Sequence, residues 1–294
     1  MKLLITGAAQ FVDEQLNAIQ KLEHEVYFLQ QESDTLPLPA DEIEGVICNG
    51  LFLHHKIENF VNLKFIQLTS AGFDRVPMDY VNARDIKIFN ARGVYSIPMA
   101  EFAVSGVLQL YKQSRFFSQN QKNHKWEKHR GLLELYGKTV CIVGCGSVGD
   151  ECAKRFTAFG CKVLGIDLTP ESNNNFEQIY TLDKLDEILP KADIIILSLP
   201  LTDKTRHIIN AQRLALLADG AVIVNISRGA IIDTEALIPH LERLGGAVVD
   251  VFEEEPLPEA HPLWDKSNVI VTPHNSFVGE SNNQRLFKAI ISNL

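Results

Sequence analysis

The sequence predicts an α/β protein with two doubly wound parallel-sheet domains, and three observations support this fold class. The chain has 294 residues, which exceeds the usual length of one domain. Short apolar runs alternate with segments of helical periodicity, a pattern typical of parallel sheets covered by helices on both faces. This alternation is interrupted once and then starts again at Lys138.

The first series predicts five strands. These are Lys2–Ile5, Glu25–Leu29, Val46–Cys48, Phe65–Leu68 and Ile86–Phe89. Phe11–Leu22 between the first two has the apolar spacing of a helix. After Asn90 the pattern is interrupted, and a long helix is predicted from about Met99 to Gln119.

The second series predicts six strands and forms a complete doubly wound set. These are Thr139–Val143, Lys162–Ile166, Asp193–Leu197, Ala221–Asn225, Gly246–Asp250 and Val269–Thr272. A polar stretch, Gln119–Arg130, precedes the first of them. The residues from about Gly279 to Leu294 predict one closing helix.

Composition and charge exclude several classes of function. The net charge of −9 argues against a nucleic-acid surface, and the cluster around Lys122–Arg130 is interpreted as a solvated face. No apolar run approaches the roughly 20 residues of a membrane helix, and the apolar run in residues 1–7 is too short for a signal peptide. We therefore expect a cytoplasmic protein with no membrane partner.

The five cysteines are expected to be free and structural. They occur at positions 48, 141, 145, 152 and 161, without a CxxC pair or a neighbouring histidine, so no metal site is predicted. Cysteine in such surroundings behaves as a small hydrophobic residue. Cys145 differs from the others because it lies inside a glycine-rich turn.

That turn predicts a dinucleotide site. A GxGxxG motif, Gly144–Gly149, follows the run Val140–Val143 and precedes a helix whose apolar stripe comprises Ala153, Phe156 and Phe159. Gly144 permits the tight turn, Gly146 allows the backbone to approach a pyrophosphate, and Gly149 allows close packing of helix and strand. The helix N-terminus supplies N–H groups and positive dipole to the phosphates.

The specificity for NAD is predicted from Asp167, which ends the next strand. Its carboxylate would accept hydrogen bonds from the ribose hydroxyls and would repel the 2′-phosphate of NADP. No Arg or Lys follows in Leu168–Pro170. NAD is therefore favoured over NADP.

Three later strands end in polar groups, at the edge where open parallel sheets bind ligands. Arg228 follows one buried strand and has the planar fork that grips a carboxylate. His274 follows another and suits proton transfer near neutral pH, and a neighbouring carboxylate would favour its charged form. Glu255, which precedes a proline, is the candidate for that carboxylate, whereas Glu253 and Glu254 are interpreted as a solvated turn.

Together these motifs resemble the D-isomer-specific 2-hydroxyacid dehydrogenase family over nearly the full chain. The matching segments are Gly144–Gly149 with Asp167, Ser198–Thr202 with Thr205, Asn225–Gly229, Asp250–Pro256 and Thr272–His274. The resemblance implies a flavodoxin-like substrate domain, residues 1–93 and 277–294, into which a Rossmann-type NAD-binding domain, residues 94–276, is inserted.

The resemblance also implies roles for single residues. Arg228 would bind and polarise a 2-oxo acid, His274 would protonate its carbonyl oxygen, and Glu255 would hold His274 charged and oriented. Backbone N–H groups of Ser70, Ala71 and Gly72 would bind the substrate carboxylate. Further cofactor contacts would come from Ser147, Val148, Pro200, Thr205, Ile226, Ser227, Asp250, His274 and Asn275. The region from Met99 to Tyr136 would form a homodimer through the coenzyme domain.

Two departures from the family pattern are visible. Asn275-Ser276 stands where the family usually has a Gly- or Ala-containing pair, which would alter contacts to the nicotinamide amide. The segment Leu241–Gly246 is about two residues shorter than usual, which predicts a tight connection between helix and strand.

The substrate remains open between two kinds of 2-oxo acid. The loop after Val46–Cys48 carries only His54, His55 and Lys56 as possible cations, which favours a small unphosphorylated acid such as glyoxylate, hydroxypyruvate or a lactate-like compound. 3-Phosphoglycerate stays possible through Arg75 or Arg92. The other class of function is an NAD(H)-sensing, corepressor-like protein with a vestigial active site.

Overall fold

Twelve parallel strands form two separate sheets in the computed structural model, which describes residues 1–294. The chain divides into two units, each with its own cores. The split unit comprises Met1–Tyr95 and Gly279–Leu294, and the central unit comprises Ser96–Val278. These divisions lie two residues from the domain limits expected above; the identification of the units as substrate and NAD-binding domains stays a prediction.

The split unit contains a five-stranded sheet with helices around it. Its elements are β1 (Lys2–Thr6), α1 (Asp13–Gln20), β2 (Glu25–Leu29), β3 (Gly45–Cys48), β4 (Phe65–Leu68), α2 (Met78–Ala83), β5 (Lys87–Phe89) and, from the chain's end, α9 (Asn282–Asn293). The strand order β2-β1-β3-β4-β5 is the flavodoxin-like order. The strands β3 and β4 are buried along their whole length, which explains their uninterrupted apolar sequences.

The predicted closing helix is present as α9, and it packs in the split unit. Its apolar face packs Leu286 and Ile290 into the same core as Leu3 and Ile5. At its end the Asn293 amide donates a 2.8 Å hydrogen bond to Oε1 of Gln67, a fully buried polar residue of β4. The chain therefore returns at its end to complete the unit in which it began.

The central unit contains a seven-stranded sheet covered on both faces. Its elements are α3 (Ser96–Tyr111), α4 (Ser114–Lys122), β6 (Thr139–Val143), α5 (Ser147–Ala158), β7 (Lys162–Asp167), β8 (Gln178–Thr181), α6 (Leu185–Ile188), β9 (Ile194–Leu197), α7 (Ala211–Leu216), β10 (Val222–Asn225), α8 (Thr234–His240), β11 (Gly246–Val249) and β12 (Val269–Val271). The order β12-β11-β10-β9-β6-β7-β8 is the Rossmann order extended by one strand. The predicted fold class is confirmed.

Three sequence-based details of the central unit are corrected. The edge strand β8 was not predicted, because it is only partly buried and lacks an apolar run. The single helix from Met99 to Gln119 is wrong: Gln113 has φ 52° and separates α3 from α4. The Leu133 N–H donates a hydrogen bond to the Tyr111 carbonyl, and this bond helps to interrupt the helical hydrogen bonding at the end of α3. Phe159, predicted in the apolar stripe of α5, follows the helix and is 45% exposed.

No helix has both the length and the apolar composition needed to span a bilayer.

Candidate active site

Three neighbouring strands of the central unit, β10, β11 and β12, direct their carboxyl ends to one edge of the sheet. Strand-like hydrogen bonding continues past these ends, because the Asp250 N–H donates to the Asn225 carbonyl at 3.0 Å and the Thr272 N–H to the Val249 carbonyl at 3.1 Å. The turns that follow carry Arg228, Glu255 and His274. The predicted trio is therefore assembled on one edge from three separate segments.

His274 and Glu255 form a direct pair. The distance from His274 Nδ1 to Glu255 Oε2 is 2.9 Å. The other carboxylate oxygen of Glu255 accepts the Phe252 N–H at 2.9 Å, so the carboxylate is fixed on both sides. Both side chains remain partly exposed to solvent. This arrangement orients the ring and leaves Nε2 as the nitrogen that can meet a substrate.

Asp250 shapes the turn that carries His274. It is completely buried, and its carboxylate accepts hydrogen bonds from Thr272 Oγ1 at 2.7 Å, Asn275 N at 2.8 Å and Ser276 N at 2.9 Å. Its carbonyl also accepts the His274 N–H at 2.8 Å. Asp250 was predicted as a cofactor contact, but its side chain is enclosed by the protein. Asp250 could therefore affect a bound cofactor only by fixing the conformation of the turn that carries His274.

Asn225 is a positioning residue that the sequence reasoning missed. Its Oδ1 accepts the N–H of Ser227 at 3.1 Å and the hydroxyl of Ser227 at 2.8 Å, while its Nδ2 donates to the Arg228 carbonyl at 3.0 Å. The Arg228 guanidinium donates to the Ser227 carbonyl at 2.8 Å. The sequence feature that could have indicated this role is an amide side chain at the end of a buried strand.

Gly229 brings the Arg228 turn against the turn that carries Glu255. A Cβ atom at Gly229 would overlap the backbone carbonyl of Phe252. Only a residue without a side chain allows this approach of the two backbones. Arg228 and Glu255 therefore lie on directly contacting turns.

Glu253 is exposed, in agreement with the sequence-based interpretation, but its side chain also pairs with a histidine. Its Oε1 lies 2.6 Å from His207 Nε2, and its other oxygen accepts the Thr234 N–H at 3.4 Å. Glu254 is exposed, in agreement with that interpretation. The central unit thus has two His–Glu pairs, and spacing in the sequence could not distinguish them.

The glycine-rich turn has the shape that a dinucleotide phosphate group needs. Gly144 has φ 101°, and a Cβ there would lie 2.8 Å from the Leu199 nitrogen. A Cβ at Gly149 would overlap the Gly144 carbonyl oxygen, whereas a Cβ at Gly146 would meet nothing within 4 Å. The turn is therefore packed against the protein at two glycines and open at the third, immediately before α5 begins at Ser147. Ser147 and Val148 are partly exposed there.

Asp167 supports the same turn. Its Oδ2 accepts the Cys145 N–H at 2.7 Å and its Oδ1 accepts the Thr169 N–H at 3.1 Å. Each oxygen retains a further lone pair for a ribose hydroxyl. Burial, reinforced by the Asp167 charge, raises the pKa of the Cys145 thiol to about 12. Cys145 is consequently a neutral part of the turn near pH 7.

Three of the predicted cofactor contacts, Thr205, Ile226 and Ser227, have buried side chains and could reach a cofactor only through backbone atoms or through neighbours. Thr205 has no exposed surface; its hydroxyl donates to the Pro200 carbonyl at 2.7 Å and accepts the Thr202 N–H at 2.8 Å. The side chains of Ile226 and Ser227 are also buried. Asn275 differs, because its N–H donates to Asp250 while its side chain stays exposed. The sequence motifs predict these residues as contacts, but a motif does not distinguish a residue that touches a ligand from one that holds the surrounding turn in place.

In the split unit, the predicted substrate loop follows β4. The Asn90 amide donates to the Ala71 carbonyl at 2.7 Å, the Ala91 N–H to the Ser70 carbonyl at 2.9 Å, and the Ser70 hydroxyl to the Gly72 carbonyl at 3.1 Å. The Ala71 and Gly72 N–H groups have no acceptor within this unit. The loop is fixed through its carbonyls and keeps N–H donors available for an anion.

Comparison with known proteins identifies related chains. Residues 104–276 match the family described as "D-isomer specific 2-hydroxyacid dehydrogenase, NAD binding domain". The chain is 36% identical over 222 residues to a D-3-phosphoglycerate dehydrogenase of Methanocaldococcus jannaschii, covering 74% of this chain and 42% of the relative. It is 34% identical over 243 residues to a glyoxylate reductase of Thermofilum pendens, covering 79% and 71%.

The fold is also found among solved structures. A D-isomer specific 2-hydroxyacid dehydrogenase family protein from Aeromonas salmonicida superposes with a TM-score of 0.87 and 32% identity, covering 99% of this chain and 93% of that one. The similarity therefore extends over both units. The match to the phosphoglycerate dehydrogenase, by contrast, spans less than half of that relative's length.

Proposed function

Because the chain belongs to the D-isomer-specific 2-hydroxyacid dehydrogenase family, we propose that it transfers a hydride between NAD and C2 of a small 2-oxo or D-2-hydroxy acid. The observation that carries this proposal is the 2.9 Å pair of His274 and Glu255 on the sheet edge that also bears Arg228. A sensor of NAD(H) would not need a fixed proton donor beside a carboxylate-binding cation. The related proteins named above are a dehydrogenase and a reductase, so the sensing alternative is not favoured.

Each member of the trio has a proposed task in the reduction. The Arg228 guanidinium binds the substrate carboxylate and polarises the adjacent carbonyl. His274 donates the proton from Nε2 to the carbonyl oxygen, and Glu255 stabilises the imidazolium from the Nδ1 side. Proton donation by a positioned imidazolium contributes about 10²–10⁴-fold in rate. The N–H groups of Ala71 and Gly72 bind the carboxylate as well.

NAD is the cofactor that fits the glycine-rich turn. The open position at Gly146 and the start of α5 at Ser147 would hold the pyrophosphate, and Asp167 would accept the ribose hydroxyls. When bound, the reduced cofactor supplies the hydride. Asp167 and the absence of a cation in Leu168–Pro170 support NAD rather than NADP.

We further propose that the physiological substrate is small and unphosphorylated, as glyoxylate, hydroxypyruvate or a lactate-like acid would be. The loop after β3 offers few cations for a phosphate group. The phosphorylated alternative remains a candidate, and the assay must include it.

A homodimer through the central unit and a cytoplasmic location are part of the same proposal. Between α4 and β6, Trp126 is 99% exposed and Tyr136 is 80% exposed, which suits a surface covered by a second copy. All five cysteines are free, which is typical of a reducing compartment. Light scattering on the purified chain would measure its oligomeric state.

The proposed activity is tested by following NADH and NADPH oxidation with a panel of 2-oxo acids. The panel contains glyoxylate, pyruvate, hydroxypyruvate and 3-phosphohydroxypyruvate. We expect turnover of at least one of these acids with NADH, and weaker turnover with NADPH. Tight NADH binding without turnover of any panel member would contradict the enzyme proposal and favour the sensing function.

A further inference from the structure

In the split unit, a carboxylate of the protein itself occupies a group of hydrogen-bond donors at the sheet edge. Oε1 of Glu32 accepts the hydroxyl of Thr6 at 2.8 Å and the N–H of Asn49 at 2.6 Å. Its Oε2 accepts the N–H of Gly50 at 2.6 Å. Two converging backbone N–H groups and a hydroxyl are the type of donor set that binds anions in proteins. Here the anion is a side chain.

The position of this carboxylate is significant because of the strand order. Thr6 ends β1, and Asn49 and Gly50 follow β3, which is the neighbour of β1. In the order β2-β1-β3-β4-β5, the connections change direction between β1 and β3. Open α/β sheets bind their ligands outside the carboxyl ends of the strands at such a switch point. Glu32 therefore fills the part of the split unit where this fold would ordinarily receive a ligand.

Glu32 is held in place from its backbone as well. His55 Nε2 lies 2.9 Å from the main-chain carbonyl oxygen of Glu32. Thr6 is completely buried and Gly50 is buried, so two of the donors cannot turn to solvent instead. The carboxylate is thus a fixed negative charge and not a mobile surface group.

The aliphatic part of the Arg75 side chain lies close to the same turn. A Cβ placed on Gly50 would be 3.4 Å from Glu32 Oε2 and 3.6 Å from Cδ of Arg75. Both Glu32 Oε2 and this part of Arg75 therefore border the turn at Gly50.

We propose that Glu32 is a specificity-determining residue that excludes a second anionic group from the crevice between β1 and β3. The inference rests on the proposed dehydrogenase function and narrows its substrate class to 2-oxo acids whose only anionic group is the C1 carboxylate. The substrate carboxylate itself is bound elsewhere, by the Ser70–Gly72 loop after β4. Glu32 excludes a phosphate or a second carboxylate at the distal end of the substrate.

The test compares hydroxypyruvate with 3-phosphohydroxypyruvate, which differ only by the phosphate ester. In Glu32→Ala the donors of Thr6, Asn49 and Gly50 become available, and in Glu32→Gln the charge is removed while the size is kept. We expect both variants to shift the ratio of the two kcat/KM values toward the phosphorylated acid by on the order of tenfold. If Glu32→Ala does not fold, Glu32→Gln alone provides the test.

Glu44→Gln is the matched control. Glu44 also accepts a backbone N–H, from Lys2 at 2.9 Å, and lies in the same unit but next to the amino ends of β1 and β3. It therefore changes the net charge equally without altering the crevice. We expect its kcat/KM ratio to stay within about twofold of the wild type, as for a surface charge separated by more than a Debye length.

A second measurement does not depend on turnover. Inorganic phosphate is titrated into the NADH-saturated protein, and the change in Tm is recorded. We expect phosphate to stabilise Glu32→Ala and to leave wild type and Glu44→Gln unchanged. Absence of turnover in wild type and in every variant would contradict the proposed function. The phosphate titration would still test whether Glu32 excludes a second anion. Stabilisation of wild type by phosphate, or an unchanged kcat/KM ratio in active Glu32 variants, overturns the inference.

Discussion

At the scale of single residues, the site depends on side chains that hold other side chains. His274 has φ 51°, in the left-handed region that few residues other than glycine adopt. Three hydrogen bonds to the buried Asp250 carboxylate fix the turn around it. Strained backbone of this kind persists where the surrounding structure over-determines it, as at active sites. The turn therefore orients His274, the proposed proton donor, before any substrate binds.

His274→Ala is expected to lower kcat by about 10²–10⁴-fold, because the variant lacks the proposed general acid. NADH affinity should change little, since the glycine-rich turn belongs to a different part of the central unit. Steady-state kinetics and NADH titration by fluorescence measure the two quantities.

His124→Ala is the control for this experiment, because His124 is exposed and forms no side-chain hydrogen bond. It should retain the wild-type kcat. A His274→Ala protein with nearly full kcat would show that the proton comes from another group.

At the scale of elements, the glycines of the glycine-rich turn differ in role, because some allow close packing and one faces the side where a ligand would bind. Gly149 is buried in the first turn of α5 and touches the carbonyl of Gly144. Gly146 has φ −70°, which any residue can adopt, and faces open space. A sequence motif treats the two positions alike, whereas the structure separates the helix support from the ligand side.

Gly146→Ala and Gly149→Ala are expected to fail in different ways. Gly146→Ala should keep the wild-type Tm and weaken NADH binding by on the order of tenfold or more, because its methyl group enters the cofactor's space. Gly149→Ala should lower the stability by about 1–3 kcal/mol through overpacking and weaken NADH binding as well.

Thermal unfolding and NADH titration on both variants measure this contrast. Equal losses of Tm in the two variants would contradict the assignment of separate tasks.

At the scale of the whole molecule, the split unit is built from both ends of the chain. Residues 279–294 contribute the helix α9, and its Arg285 donates to the Val94 carbonyl at 2.7 Å. The Ile290 side chain is completely buried in the core that contains Leu3 and Ile5. The last helix is therefore a structural part of this unit and not an appendage.

Ile290→Ala is expected to destabilise the split unit by about 2–5 kcal/mol, the usual cost of truncating a buried Ile. Hydrogen exchange should become faster in β1 and β4, while β10 and β11 of the central unit, which has separate cores, keep their protection.

Lys288→Ala changes the exposed face of the same helix and is the control. It should leave exchange in β1 unaltered. Equal acceleration of exchange in both units after Ile290→Ala would mean that they do not unfold separately.

The sequence by itself determined the fold class, the strand positions, the glycine-rich turn and the three polar strand ends. These features can be predicted because a buried parallel strand has a continuous apolar sequence, and because a phosphate-binding turn is a local sequence motif. The edge strand β8 and the break after Tyr111 were missed, since each depends on partners distant in the chain.

Only the tertiary structure decided which residues meet. The sequence favours Glu255 over Glu253 because a proline follows it, but only the structure shows that Glu255 pairs with His274 and Glu253 with His207. Asp250 and Thr205 match ligand-contact motifs but are buried supports. Glu32 carried no signal at all, because its donors come from residues 17 or more positions away. Hydrogen-bond partners between segments are fixed by packing, and that information is absent from any local pattern.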